Sequence, residues 1–207
     1  MPDLSKMYLF RMTHIENIPH ILQYGITHAK SSHYNPSFVP IGDRSIISTR
    51  SNFVLNNGRP LGDYIPFYFA ARTPMLYVIQ NSYNLVNPTP AEKIVYCVSS
   101  VQQILDLMLD FVFTDGHAID SFSTQYSVTD AAKIDEIIDI NAIKAKYWKE
   151  ENDLDLKRRK EAEFLVLGDI APQAILGYIV YNLTAKEKMH SFGVPEEYVH
   201  IKSTFYF

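Results

Sequence analysis

Short apolar runs recur along this chain, and the segments between them are too irregular to be a regular set of crossover helices. The runs are MYLFRM (7–12), EKIVYCVS (92–99), FVF (111–113), AEFLVL (162–167), IAPQAILGYIVYN (170–182) and YVHIKSTFYF (198–207). A doubly wound parallel sheet needs a strand–helix–strand alternation with crossovers of a dozen or more residues. That alternation is missing, so the pattern predicts an α+β fold. Three helices are predicted. The first is capped by Thr13 with Glu16 three residues on, carries Ile15, Ile18, Ile21 and Leu22 on one face, and stops at Gly25. The others span Val101–Asp110 and Asp135–Lys149, the latter carrying Trp148 as a packing residue. Residues 27–60 are rich in Ser, Asn, Pro and Gly and read as one long loop, a length usually tied to function. No repeat, low-complexity stretch or linker divides the chain, so residues 1–207 are expected to form one domain.

With 47% apolar and 20% charged residues the chain can bury a core and is not compositionally disordered. Its 19 basic against 23 acidic residues give a net charge of −4, which argues against a protein that holds nucleic acid through many phosphate contacts. It leaves room for a transient contact with nucleic acid. Cys97 is the only cysteine, so no intrachain disulfide can form and a reducing cytoplasm is expected. No stretch has the pattern of an export signal or the length of a membrane span. The seven histidines make no HxxxH pair and have no cysteine at zinc spacing, so no metal is expected.

Several nucleotide and hydrolase signatures are absent: no GxxxxGK[ST] loop, no GxGxxG, no GxSxG and no HExxH. Five clusters remain: RMTH (11–14), Arg50 in its polar segment, PFYFAARTPML (66–76), TDGH (114–117) and KRRKEAEFLV (157–166). Most have an ordinary structural reading. Arg11 fits a surface ion pair as well as a site, Arg50 a solvated loop, His117 a turn, the KRRK run a solvated face, and PFYF a core strand. Glu163 resists such a reading, because a carboxylate leading directly into FLVL is drawn into the interior, where an unpaired charge is costly.

In order, YLFRMTHIENIPHILQYGI, DYIPFYFAARTPMLYVI, FVFTDGHA and KRRKEAEFLV resemble the motifs of the DarT family of DNA ADP-ribosyltransferase toxins, over nearly the whole chain. The resemblance implies a single-domain ADP-ribosyltransferase fold of the diphtheria-toxin and PARP type, NAD as the ADP-ribose donor and a base of single-stranded DNA as acceptor. It also implies a cognate antitoxin hydrolase, macrodomain-type or NADAR-type, that reverses the modification. Position by position, Glu163 matches the family's catalytic glutamate, Arg50 an arginine beside donor and acceptor, and His117 the histidine of the TDxH turn. Arg11, Met12, Thr13 and His14 fall in the segment that forms the nicotinamide end of the donor pocket, and Arg50 and Tyr68 complete the donor-binding set.

The residue types suit that chemistry. Cleaving the nicotinamide–ribose bond builds positive charge at C1, which a fixed carboxylate such as Glu163 stabilises where it develops. The forked guanidinium of Arg50 suits a phosphate or a base, and its basicity makes electrostatic positioning its first role. Tyr68 and Phe69 are expected as a stacking wall, and Lys157, Arg158, Arg159 and Lys160 as a basic groove for a short single strand. A base inside a duplex cannot reach the donor, so the acceptor is unpaired or flipped out. The sequence departs from the family where the first histidine is replaced by Arg11, where CPRS becomes AART, and around Arg50, where the chain reads IGDRSIISTR. Those departures point to guanine as the target base, with thymine as the alternative. RNA or protein as acceptor, and an inactive NAD- or DNA-binding module, are the rival readings.

Overall fold

β1 (Tyr8–His14) pairs along its whole length with β3 (Ile94–Ser100), from Tyr8↔Ser100 to His14↔Ile94. On its other side it meets β2 (Tyr64–Tyr68) at a single position, Phe10↔Tyr68. The computed structural model describes residues 2–42, 44–83 and 86–207, and only the backbone at Arg44, Ser45 and Ile47. Around the β1–β2 junction the sheet runs β5-β4-β6-β2-β1-β3-β7-β8, with β4 at Phe111–Thr114, β5 at Gln125–Ser127, β6 at Glu163–Leu167, β7 at Gly177–Val180 and β8 at Val199–Ile201. Every pairing is antiparallel except β7 with β8. The α+β expectation therefore holds.

The narrow β1–β2 contact has a local cause. Pro66 stands in the middle of β2, a central strand, where its missing N–H cannot serve a ladder on the β1 side. Its carbonyl instead accepts a hydrogen bond from the Arg11 guanidinium at 3.0 Å. A side chain thus replaces a strand partner, and the two half-sheets diverge at that point. One face of the sheet buries Leu9, Phe67, Val95, Cys97, Phe113, Phe164 and Val166, and the other Met12, Tyr68, Tyr96, Ile179 and Tyr206. The Tyr206 hydroxyl lies 3.0 Å from the carbonyls of both Ile94 and Ile179, tying the final segment to the sheet.

Four expectations about elements change. β1 continues through Thr13, so Thr13 is a strand residue and not a helix cap. Its Oγ1 accepts from Asn17 Nδ2 at 2.9 Å, while His14 Nδ1 caps the following turn by accepting from the Glu16 N–H. The first helix proper, α1, is Ile18–Tyr24, ending at Gly25 as expected. Gly25 has φ +80°, and a Cβ there would lie 2.0 Å from the Ile170 carbonyl oxygen, so only glycine fits. The segment expected as a 27–60 loop contains a helix, α2 (Arg44–Asn52). α3 (Pro74–Asn81) follows the aromatic strand, and α4 (Val101–Asp106) is shorter than expected. The helix expected over 135–149 breaks into α5 (Ile134–Ile137) and α6 (Ile140–Lys144), because Asp139 is extended and caps the second piece. α7 (Leu156–Lys160) precedes β6, and α8 (Leu183–Ser191) covers β8. Among the described residues no helix is long and apolar enough to cross a membrane.

Candidate functional site

Glu163 opens β6 opposite Tyr68 of β2, so the row Phe10–Tyr68–Glu163 crosses the sheet at the point of divergence. Phe164 and Leu165, both fully buried, fix the strand on either face and leave the carboxylate with no solvent contact. A buried charge of this kind persists only when paired. Arg50, in the last turn of α2, supplies the pair: Nη1 donates to Oε1 at 3.0 Å and Nη2 stands 2.8 Å from Oε2. The Ala118 N–H also donates to Oε1 at 3.0 Å. Burial would raise the Glu163 carboxyl, but Arg50, His117 and the Ala118 N–H outweigh it and hold it below the usual carboxylate range. Oε2 receives no aligned hydrogen bond among the described residues. Its ion-pair partner there is Arg50 Nη2, so a ligand hydroxyl would meet Oε2 beside or in place of that nitrogen.

The turn after β4 builds the other wall. Thr114 Oγ1 donates to the Gly116 carbonyl and accepts from the Glu163 N–H. A Cβ on Gly116 would sit 2.4 Å from Arg158 Nη1, so a side chain there would have to displace that guanidinium from its aspartates. The turn positions two different things: the Ala118 N–H on the carboxylate, and the His117 side chain on the rim of a cleft of about 930 Å³. Burial lowers the His117 pKa, so its imidazole is neutral near pH 7.

That cleft is lined by Arg11, Met12, Thr13, Arg50, Tyr68 and His117, which brings together most of the residues expected to bind or react. Glu163 lies just behind, covered by Arg50, whose side chain is 15% exposed. His14 is placed outside the lining, capping its turn. Arg11 has no carboxylate partner among the described residues, and with Thr13 it also borders an adjoining cavity of about 210 Å³. Tyr68 lines the cleft, but Phe69 points to the opposite face and packs edge-on against Phe164, so it is core and not a stacking wall.

The expected KRRK groove reduces to Lys157. Arg158 is held by Asp155 and Asp115 at 2.6 and 3.0 Å, and Arg159 by Asp139, Asp153 and Asp155. Lys160 is buried and donates to the carbonyls of Ile143 and Ala145. These cations are structural clamps. Nevertheless the cleft is cationic: Arg11, Arg50, Arg72, Lys146, Lys149 and Lys157 line it against Glu161 alone among the described residues. No group of three or more His, Cys, Asp and Glu side chains is placed to hold a metal among those residues.

Reading the sequence missed Arg72, the Ala118 N–H and Glu161. Arg72 and Glu161 each lie inside a motif already singled out, Glu161 two residues ahead of Glu163, whereas the Ala118 N–H left no signal. Burial pushes the Glu161 carboxyl up to about 7. Below the ordinary value of 4.5 it is protonated folded or unfolded, between 4.5 and 7 only the unfolded chain ionises, and above 7 the folded protein carries the full penalty. Glu161→Gln is therefore expected to raise the thermal unfolding midpoint at pH 8.5, at about 2–4 °C per kcal/mol, and to leave it unchanged at pH 4. No difference between variant and wild type at either pH would refute the raised carboxyl of Glu161.

The family model described as ssDNA thymidine ADP-ribosyltransferase, DarT, matches residues 10–207. A DNA ADP-ribosyl transferase of Thermus sp. (strain 2.9) is 34% identical over 164 residues, covering 76% of this chain and 73% of the relative. A DNA ADP-ribosyl transferase–DNA ADP-ribosyl glycohydrolase fusion protein of Thermosipho africanus is 30% identical over 168 residues, 81% of this chain and 40% of that one. The solved structure of Thermus sp. 2.9 DarT in complex with ADP-ribosylated ssDNA has a TM-score of 0.83 at 28% identity, covering 100% of this chain and 98% of its own. The same Thermus protein in complex with NAD+ gives 0.80 at 28% identity, with 100% and 99% covered.

Proposed function

The chain belongs to the DarT family and is an NAD+-dependent ADP-ribosyltransferase acting on single-stranded DNA, and from that premise we propose that its acceptor base is thymine and not the guanine expected from the sequence. The family description names thymidine. The sequence argument for guanine rested on three departures, at Arg11, at AART and around Arg50, and the last of these segments folds as α2 and delivers its guanidinium to Glu163. The altered wording of the motif leaves the arginine in the site.

The observation that carries the reading is an ionised, fully buried carboxylate paired with Arg50, at the back of a cationic cleft. Glu163 Oε2 accepts the ribose hydroxyl and stabilises the charge that builds at C1 as nicotinamide leaves. Arg50 covers the carboxylate from the cleft side, so its guanidinium stands where an entering donor's phosphate or the acceptor base would meet it. Arg11, with no carboxylate of its own, and Thr13 hold the donor at the β1 side. In thymidine N1 already bears the sugar, so N3 attacks C1 and its proton must leave. Arg50 is too basic to take it. His117, neutral through burial, and Glu161, with a carboxyl near 7, are the cleft-lining groups able to accept it.

The glycohydrolase half of the Thermosipho fusion protein supports reading this chain as a toxin whose antitoxin is a separate hydrolase that removes ADP-ribose from DNA. Incubation with labelled NAD+ and single strands that each carry one thymine, guanine, adenine or cytosine tests the proposal. Label is expected on the thymine strand alone. Label on guanine would overturn the base assignment, and label on RNA or protein with none on DNA would overturn the acceptor class.

A further inference from the structure

The outer end of the cleft holds aromatic side chains brought together from separate segments. Tyr77 of α3 stacks on Tyr83 with ring centroids 5.4 Å apart, and Trp148 and Phe207 meet Tyr77 edge-on at 5.6 and 5.1 Å. Tyr147 and Tyr83 are 78% and 52% exposed, although each lines the cleft. Ordinary core packing does not explain rings left this open. Lys146 and Lys149 flank the pair Tyr147–Trp148, and no acid but Glu161 lines the cleft among the described residues.

We propose that Trp148 and Tyr147, with Tyr77 beneath, form a stacking shelf for the nucleobase adjacent to the target base. This rests on the reading of single-stranded DNA as acceptor. An exposed Tyr147 and a half-buried Trp148 between Lys146 and Lys149 suit successive bases and the phosphates between them, whatever the base identity. The position favours the acceptor strand over the donor. Lys160, three residues before Glu163, lies 5.8 Å from the Trp148 ring and donates to the Ala145 carbonyl. The shelf is thus braced on the α7 side of the site, whereas Arg11 and Thr13 line the cleft from the β1 side.

Trp148 is the only tryptophan of the chain, so its fluorescence reports the shelf directly. A ten-nucleotide single strand containing one thymine, titrated in the presence of carba-NAD+ to prevent turnover, is expected to quench it saturably. Trp148→Ala is expected to weaken binding of that strand, followed by fluorescence anisotropy, about tenfold, the equivalent of ~1.4 kcal/mol. Trp148→Phe should restore most of the loss. Tyr147→Ala, at an exposed position where folding is not at stake, should weaken binding severalfold. A strand with an abasic site beside the thymine should bind the wild type as weakly as the intact strand binds Trp148→Ala, with KM for NAD+ unchanged throughout. No quenching at saturation, undiminished binding by Trp148→Ala and Tyr147→Ala, or a raised KM for NAD+ with unchanged DNA affinity would each overturn the shelf. If the wild type modifies no single strand at all, the transferase reading fails instead.

Discussion

Glu163→Gln is expected to lower kcat/KM for transfer by about 10²–10³-fold, the scale of removing one aligned electrostatic group from a developing charge. Gln keeps the size of the side chain and its ability to accept from the Ala118 N–H, so the β6 strand and the turn should hold their places. The neutral amide cannot balance positive charge at C1. The loss should fall on kcat with little change in KM for NAD+, because the charge appears only as the bond breaks. Glu163→Ala is the poorer test, since it opens a cavity beside a guanidinium whose side chain is only 15% exposed. Labelled-NAD+ transfer to a thymine-containing single strand, with circular dichroism as the folding control, measures the effect. Wild-type turnover by Glu163→Gln would remove the carboxylate from the mechanism.

Arg50→Ala should cripple transfer and also change how stability depends on pH. In the wild type the Glu163 carboxyl is held low, so its contribution is present above the unfolded value of 4.5 and lost as pH falls through the lower folded value. Without Arg50, burial dominates and the folded pKa rises above 4.5, reversing the sign. Stability of Arg50→Ala is then expected to be closest to wild type near pH 4 and to fall as pH rises. Breaking a buried pair from one side costs about 3–5 kcal/mol. The double variant Arg50→Ala/Glu163→Gln should recover much of that at pH 8, because no unpaired charge remains. Urea unfolding at pH 4 and pH 8 checks this, and a pH-independent loss in Arg50→Ala would refute the buried pair.

The strands were largely legible because each is encoded within its own few residues. EKIVYCVS and AEFLVL carry β-branched and aromatic side chains in runs of strand length, and they fold as β3 and β6. The carboxylate of Glu163 stood out for the same local reason. Helix α2 was not legible: RSIISTRSN is polar, with no sustained apolar face, and Ile46 is exposed in the fold. The 135–149 segment misled in the opposite way, since its helical spacing continues across Asp139, which folds as a cap.

The site divides along the same line. By itself the sequence determined the order of strands and turns, the four motifs that mark the family, and the identity of the acid at the head of β6. Only the tertiary structure decided what that acid touches. Arg50 is 113 positions away, and no local pattern states that a polar segment will coil into a helix and turn its last cation inward. The KRRK run read as a basic groove because aspartates at 115, 139, 153 and 155, which consume two of its charges, arrive through folding. Tyr77, Trp148 and Phe207 are unremarkable in their own segments and meet ring to ring only when α3, the segment before α7 and the chain's last residue are folded together. Backbone preference and hydrophobic spacing act over a few residues and can be read directly. Charge pairing and ring contact depend on distances in space, which the chain fixes only once its strands have found their partners.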